Sequence, residues 1–195
     1  MQKCHLTGNN VCQCAIPLQP HSHVKPLNTA HFAIRNLWIH HVIYTKLYID
    51  SVLHETDPAN SSAILKRLLD NQHEIGAEAN KYVNLGDSLT DALVQHIKLA
   101  GKMAAEPITK NVDAFILQGD DIARILSAIN PRILPLRDAQ TEMRTHTHHV
   151  VELYIILKEG RYSDEIVELD AYYNHVLSLA DAMYALLSNP SRYSY

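Results

Sequence analysis

The chain has 195 residues, of which 47% are hydrophobic, and its 17 Lys and Arg against 21 Asp and Glu give a formal net charge of -4. This length suffices for one compact domain with a sizeable core. The acidic balance argues against a nucleic-acid partner, because a protein that binds the phosphate backbone needs a basic stripe. No apolar run of about 18 residues occurs and the N-terminus lacks the apolar stretch of a signal peptide, so we expect a soluble intracellular protein with no membrane partner.

The first 27 residues contain all three cysteines, Cys4, Cys12 and Cys14, and three of the histidines. Their spacing matches no zinc module, and an odd number of cysteines at one end of a chain is not a disulfide framework. This segment also lacks apolar periodicity. The sequence therefore predicts a weakly ordered tail over residues 1–27, followed by one helical-bundle domain over residues 28–190.

Helical periodicity begins after this tail, and its interruptions divide the domain into segments. The first segment runs from about residue 28 to residue 55. Asp57 then provides an N-cap, and Pro58 suits the first position of a second helix that extends to about residue 81.

The middle of the domain contains two further helical segments. Gly86 interrupts the pattern before a third segment that runs to about residue 106. Pro107 opens a fourth segment, which ends before Pro131 because a proline disfavours helix at the residue that precedes it.

The last third of the chain predicts two more helices, over about residues 136–158 and 163–188, with Gly160 as the stop signal between them. Alternating strand patterns are absent, and the whole chain has only 6 glycines. The fold class is therefore all-α. We expect a mostly antiparallel four-helix-bundle core with additional shorter helical segments.

Several polar side chains fall on the apolar faces of these helices. At about 100° per residue, His41 and Thr45 lie near the centre of the first apolar face, and His96 lies at the centre of the third. Gln72 and Thr147 occupy comparable places in the second and fifth helices. Burying such groups unpaired costs roughly 1–3 kcal/mol each, so we expect all five to form a polar core in which His41 meets His96.

Other polar residues fall beside or outside the apolar faces. Asp120 and His146 lie at shoulders, and His175 lies along one edge of the apolar arc of the sixth helix. His148 and His149 point away from the apolar face of the fifth helix. Adjacent histidines are thus expected to divide between the interior and the solvent.

Motifs of the familiar helical-bundle enzymes are missing from the sequence. Di-iron carboxylate bundles need Glu-x-x-His on two helices, and the chain has none. It also lacks His-Glu-x-x-His, a glycine-rich phosphate loop and the G-x-S-x-G elbow. The sequence therefore leaves an enzymatic function unsupported without excluding it.

Five segments in combination carry a family resemblance: "LWIHHVIYTKLYIDS", "RLLDNQHEIG", "LTDALVQHIKLA", "GDDIARILSAINP" and "DAYYNHVLSLAD". Their order resembles a family of small, largely uncharacterised helical-bundle proteins encoded in bacteria and in some large DNA viruses. The resemblance covers about residues 36–190. The resemblance implies a four-helix-bundle core and no established activity. It also implies a bacterial or viral origin, and in the viral case the protein would be virus-encoded or virus-associated.

The positions that match the family pattern include both apolar-face and edge residues. They are His41, Thr45, Asn71, Gln72, His96, Asp120, Asp121, Asp170, His175 and Asp181. The family usually has an arginine where Lys46 stands, so the chain departs from the pattern there.

The leading hypothesis is a non-enzymatic structural or binding protein with a buried His/Gln/Thr cluster. The second hypothesis is a bundle that binds a divalent metal ion as its cofactor and has hydrolytic activity. Its ligands would be His41, His96, Asp120 and His175, with neutral imidazoles on the metal and an open position for water.

The third hypothesis is a small-molecule carrier, in which Trp38, Tyr44 and Tyr48 line an apolar pocket beside the polar cluster. A homodimer formed through an exposed helical face is compatible with each hypothesis. Metal analysis of the purified protein separates the second hypothesis from the other two.

Overall fold

The computed structural model describes residues 28–54, 57–105 and 111–191. These residues form six α-helices and no strand, which confirms the all-α prediction. The helices are α1 (Thr29–His54), α2 (Pro58–Asn80), α3 (Ser88–Ala105), α4 (Val112–Ile129), α5 (Leu136–Lys158) and α6 (Tyr162–Ser188). The predicted tail over residues 1–27 and the predicted helix start at Pro107 lie outside the described residues.

Local capping explains where α2 begins. The Asp57 side chain accepts a hydrogen bond from the backbone N–H of Ala59 at 2.9 Å, and Pro58 is the first helical residue. The cap satisfies one of the N–H groups that a helix start leaves unpaired, and proline lacks the N–H that would otherwise need a partner.

The end of α5 is fixed by a glycine in the left-handed region. Gly160 has φ +69°, and its N–H donates to the carbonyl of Leu157 at 3.1 Å. The N–H of Arg161 donates to the carbonyl of Ile156, also at 3.1 Å. This pair of bonds is the Schellman arrangement, and it turns the chain directly into α6.

Each helix packs against its neighbours in sequence, and α6 returns to pack against α1, so the six helices form a closed ring. The helices α1, α2, α5 and α6 have 23 to 27 residues, whereas α3 and α4 have 18 each. Across the interior, α1 also contacts α3 and α5. These contacts are compatible with a four-helix-bundle core, in which the long helix α2 packs mainly against α1 and α3.

The interior of the ring is mostly aliphatic and aromatic. Phe115, Ile122, Leu153 and Tyr172 are among its fully buried side chains. None of the helices within the described residues has the length and apolar character that crossing a membrane requires.

Candidate functional site

Three histidines from three helices meet inside the bundle. His41 on α1, His96 on α3 and His146 on α5 are exposed by only 3%, 3% and 2%. The centre of the His146 ring lies 5.5 Å from that of His41 and 5.6 Å from that of His96. His146, which periodicity places at a shoulder, is therefore the central member of the cluster and lies between the other two.

Gln72 determines which nitrogen of His41 can carry the hydrogen. Its Nε2 donates to the carbonyl of Leu68 at 2.9 Å, and because a carbonyl only accepts, this contact fixes the orientation of the amide. The same Nε2 lies 3.2 Å from Nδ1 of His41. A hydrogen on Nδ1 would face a donor, so neutral His41 carries its hydrogen on Nε2.

Gln118 on α4 imposes the opposite arrangement on His96. Its Nε2 donates to the carbonyl of Ala92 at 2.6 Å, which leaves its Oε1 to accept from Nδ1 of His96 at 2.8 Å. Neutral His96 therefore has its hydrogen on Nδ1 and a free lone pair on Nε2. Gln118 was not among the residues expected at this site, although its position between Phe115 and Ile122 on one helical face is a signal that could have revealed it.

Each of the three buried rings retains an unpaired nitrogen. Nε2 of His41, Nε2 of His96 and Nδ1 of His146 are buried and have no hydrogen-bond partner among the described residues. By the polarity set by the two glutamines, the first of these atoms is a donor and the second is an acceptor.

Burial keeps the three imidazoles neutral. Removal from water lowers the pKa of His41 to about 3 and that of His96 to about 4, and the nearby His96 ring lowers the pKa of His41 further. The pKa of His146 is lowered well below its ordinary value, first by burial and then by the surrounding histidines. A positive charge in this interior would lack both water and a carboxylate partner.

A small cavity adjoins the three rings. Its volume is about 20 Å³, and Tyr48, Met103 and Phe115 contribute to its largely apolar wall. A cavity needs roughly 10–15 Å³ to hold one water, whereas small-molecule sites span roughly 300–1,000 Å³. As the described residues define it, this cavity is therefore too small for an organic ligand.

The remaining two polar residues of the predicted core are buried but differ in their contacts. Thr45 faces the phenol of the buried Tyr172 without a hydrogen bond of ordinary geometry. Thr147 donates to the carbonyl of Arg144 in its own helix at 2.9 Å, and its methyl group faces Gly119 on α4. Thr147 thus packs α5 against α4 and does not complete the histidine cluster.

The predicted metal ligands His41, His96, Asp120 and His175 are not brought together as a set. Both carboxylate oxygens of the buried Asp120 are bound by Arg144, at 3.2 Å from Nε and 2.8 Å from Nη2. Among the residues that the structure describes, no group of three or more His, Cys, Asp or Glu side chains is placed to hold a metal ion. Within the described residues the four predicted ligands therefore do not form a metal site, and the carboxylate of Asp120 is paired with Arg144.

Two further histidines continue the cluster towards the surface. His148 is exposed, in line with the sequence prediction, but the prediction that His149 points away is wrong. Nδ1 of His149 lies 2.6 Å from Oε1 of Glu168 on α6, and its ring centre lies 5.3 Å from that of His175. The ring of His175 in turn lies 6.2 Å from that of His146.

The aromatic residues proposed for a carrier pocket do not share one. Nε1 of Trp38 donates to the sulfur of Met183 at 3.3 Å inside the core. Tyr44 lies under the guanidinium of Arg67 at 4.9 Å, and only Tyr48 reaches the small cavity.

A larger groove lies elsewhere, along the outer side of α1 and α6, with a volume of about 580 Å³. Its lining residues are Val42, Ile43, Lys46, Leu47, Asp50, Leu169, Asp170 and Tyr173. Lys46 is paired with Asp50 and, at 2.7 Å, with Glu165.

Two other positions of the family pattern, Asn71 and Asp181, link helices. The amide nitrogen of the buried Asn71 donates to the carbonyl of Leu37 at 3.0 Å, which links α2 to α1. Asp181 accepts from Arg35 at 2.7 and 2.8 Å, which links α6 to α1. Asp121, by contrast, is exposed and pairs with Arg124 of its own helix.

No family model, curated protein or solved structure matches this chain. The family resemblance, the bacterial or viral origin that it implies and the homodimer accordingly stay predictions. Any function has to be argued from the geometry of the site.

Proposed function

We propose that this chain is a non-enzymatic structural or binding protein, in which the buried histidine cluster joins the helices of the bundle. The observation that carries this proposal is the opposite hydrogen-bond polarity at the two ends of the cluster. Gln72 makes His41 a donor towards the centre, and Gln118 makes His96 an acceptor from the centre.

His146 lies where it can connect the two ends. Two imidazoles joined by an N–H···N bond of about 2.9 Å have ring centres roughly 5 Å apart. The observed separations of 5.5 and 5.6 Å are close to this value. A small rotation of the rings would give a continuous chain from Gln72 through the three histidines to Gln118, with every bond running in the same direction.

The same hydrogen-bond polarity disfavours coordination of a metal ion by the three imidazole rings. A metal needs a lone pair from each imidazole, but neutral His41 carries hydrogen on the nitrogen that points away from Gln72. The small cavity volume likewise disfavours an organic substrate or cargo beside the cluster. A hydrogen-bonded brace across α1, α3 and α5, formed by a small rotation of the rings, would satisfy the unpaired nitrogens without either ligand.

Replacing His146 by phenylalanine tests this proposal, because it retains a ring and removes both nitrogens. We expect His146→Phe to lower the free energy of unfolding by roughly 1–3 kcal/mol in urea denaturation, since His41 and His96 lose their partner. The exposed His148 serves as the control. His148→Ala should change the free energy of unfolding by less than about 0.5 kcal/mol.

Undiminished stability in His146→Phe would contradict the brace. A rise in melting temperature on adding zinc that disappears in His41→Gln would support the metal hypothesis for the core instead.

A further inference from the structure

We propose that a divalent transition-metal ion binds between α5 and α6, on His149 and His175, with Glu168 orienting the ring of His149 and Glu142 lying near the ring of His175. This site does not involve His41 or His96, so it is independent of the function proposed for the core.

The two helices carry the same spacing of residue types. Glu142 and His149 are seven residues apart on α5, and Glu168 and His175 are seven residues apart on α6. Seven residues are about two helical turns, so each pair lies on one side of its helix. His149 contacts Glu168 and His175 contacts Glu142, so each histidine faces the glutamate of the other helix.

His149 is held in the tautomer that metal binding requires. Its Nδ1 lies 2.6 Å from Oε1 of Glu168, and a carboxylate can only accept. Neutral His149 therefore has hydrogen on Nδ1 and a lone pair on Nε2. In protein metal sites, the ring N–H of a ligating histidine commonly donates to a carboxylate, which orients the ring.

His175 has a buried nitrogen without a partner. Its Nε2 makes no hydrogen bond within the described residues, while its Nδ1 lies 3.7 Å from Oε2 of Glu142. The unpartnered Nε2 of His175 is therefore the atom available to bind an ion.

The ring separation suits one shared ion. With metal–nitrogen bonds of about 2.0–2.1 Å and tetrahedral angles, two ligating imidazoles have ring centres roughly 5 Å apart. The observed separation of His149 and His175 is 5.3 Å. The side chains of His149 and His175 are 16% and 10% exposed, so the site is close enough to solvent for an ion to enter.

The donors indicate the class of ion. Two imidazoles suit zinc, nickel and copper(II), whereas magnesium and calcium prefer oxygen ligands. No third donor of the described part of the chain is placed to complete the coordination, so water would fill the remaining positions. The two glutamates offset the charge of a divalent cation.

The test is zinc binding by the full chain after chelator treatment, followed by equilibrium dialysis at pH 7.5. Cys4, Cys12 and Cys14 also offer zinc donors, so the expected result is a difference between variants. His149→Gln and His175→Gln should each bind one zinc equivalent fewer than the wild type. His73→Gln, at an exposed position on α2, should bind as many as the wild type.

A conservative substitution of Glu168, which contacts the proposed ligand His149, provides a second measurement. Glu168→Gln should weaken zinc binding at this site about 10–100-fold, because the ring of His149 loses its orienting carboxylate. Wild-type stoichiometry and affinity in His149→Gln and His175→Gln would overturn the proposal. In that case His149 and Glu168 would form only an ion pair that holds α5 against α6.

Discussion

Two glutamine side chains determine what the interior histidines can do. Gln72 and Gln118 are each fixed by a backbone carbonyl, and each presents a different end of its amide to an imidazole. As a result His41 and His96, which are equivalent in burial, have opposite hydrogen-bonding character. Burial alone would not distinguish them.

The tautomers of these two rings can be measured directly. Long-range correlation of ring protons with ring nitrogens by NMR should show hydrogen on Nε2 of His41 and on Nδ1 of His96 at pH 7. Gln118→Leu should release His96 from its single tautomer and leave His41 unchanged. The same tautomer in both wild-type rings would show that the amides do not have the orientations described here.

The sequence identified the buried side of most helices but not every polar contact within it. Periodicity predicted burial of His41, Gln72 and His96, which the structure shows. It misplaced His146 and His149 because α5 packs against α1, α4 and α6, so that more than one side of this helix is covered. The periodicity of one helix defines a single apolar face and carries no signal for a second buried side. The pairing of His96 with Gln118 likewise depends on tertiary packing.

At the level of the elements, helix ends were predictable where the signal is local. Asp57 with Pro58 and the left-handed Gly160 act through the backbone of their immediate neighbours. Helix–helix contacts depend on distant residues, and the tight packing of α2 against α3 has no local signal. There, Gly76 approaches Thr90 so closely that a Cβ at residue 76 would lie 1.9 Å from Oγ1 and 3.3 Å from Cα of the threonine.

Gly76→Ala should therefore destabilise the protein, although alanine is the better helix former. We expect a loss of roughly 1–3 kcal/mol in the free energy of unfolding, because the added methyl group would overpack this contact. Gly119→Ala is the matched control, since its Cβ would approach other atoms no closer than 3.4 Å. If the two variants were equally stable, α2 and α3 could not be packed as tightly as described.

At the scale of the whole molecule, the ring of helices buries three histidines, so the stability of the fold depends on their protonation. Folded His41, His96 and His146 stay neutral because burial lowers their pKa values. In the unfolded chain each imidazole titrates near pH 6.5. Below that pH the unfolded chain binds protons at these imidazoles and the folded chain does not. The contribution of these imidazoles to the free energy of unfolding, present above pH 6.5, is therefore lost as the pH falls towards about 4.

The most direct test of this account is the free energy of unfolding in urea, measured from pH 7.5 to pH 5, above the range where most carboxylates titrate. Each buried neutral histidine contributes a slope approaching about 1.4 kcal/mol per pH unit near pH 5, so His41, His96 and His146 together give up to about 4 kcal/mol per pH unit. His175, whose pKa burial also lowers, adds to this slope. His146→Phe should reduce the slope by about 1.4 kcal/mol per pH unit. The account predicts a steep loss of stability between pH 6.5 and pH 5, and a free energy of unfolding that stays constant over that interval would contradict it.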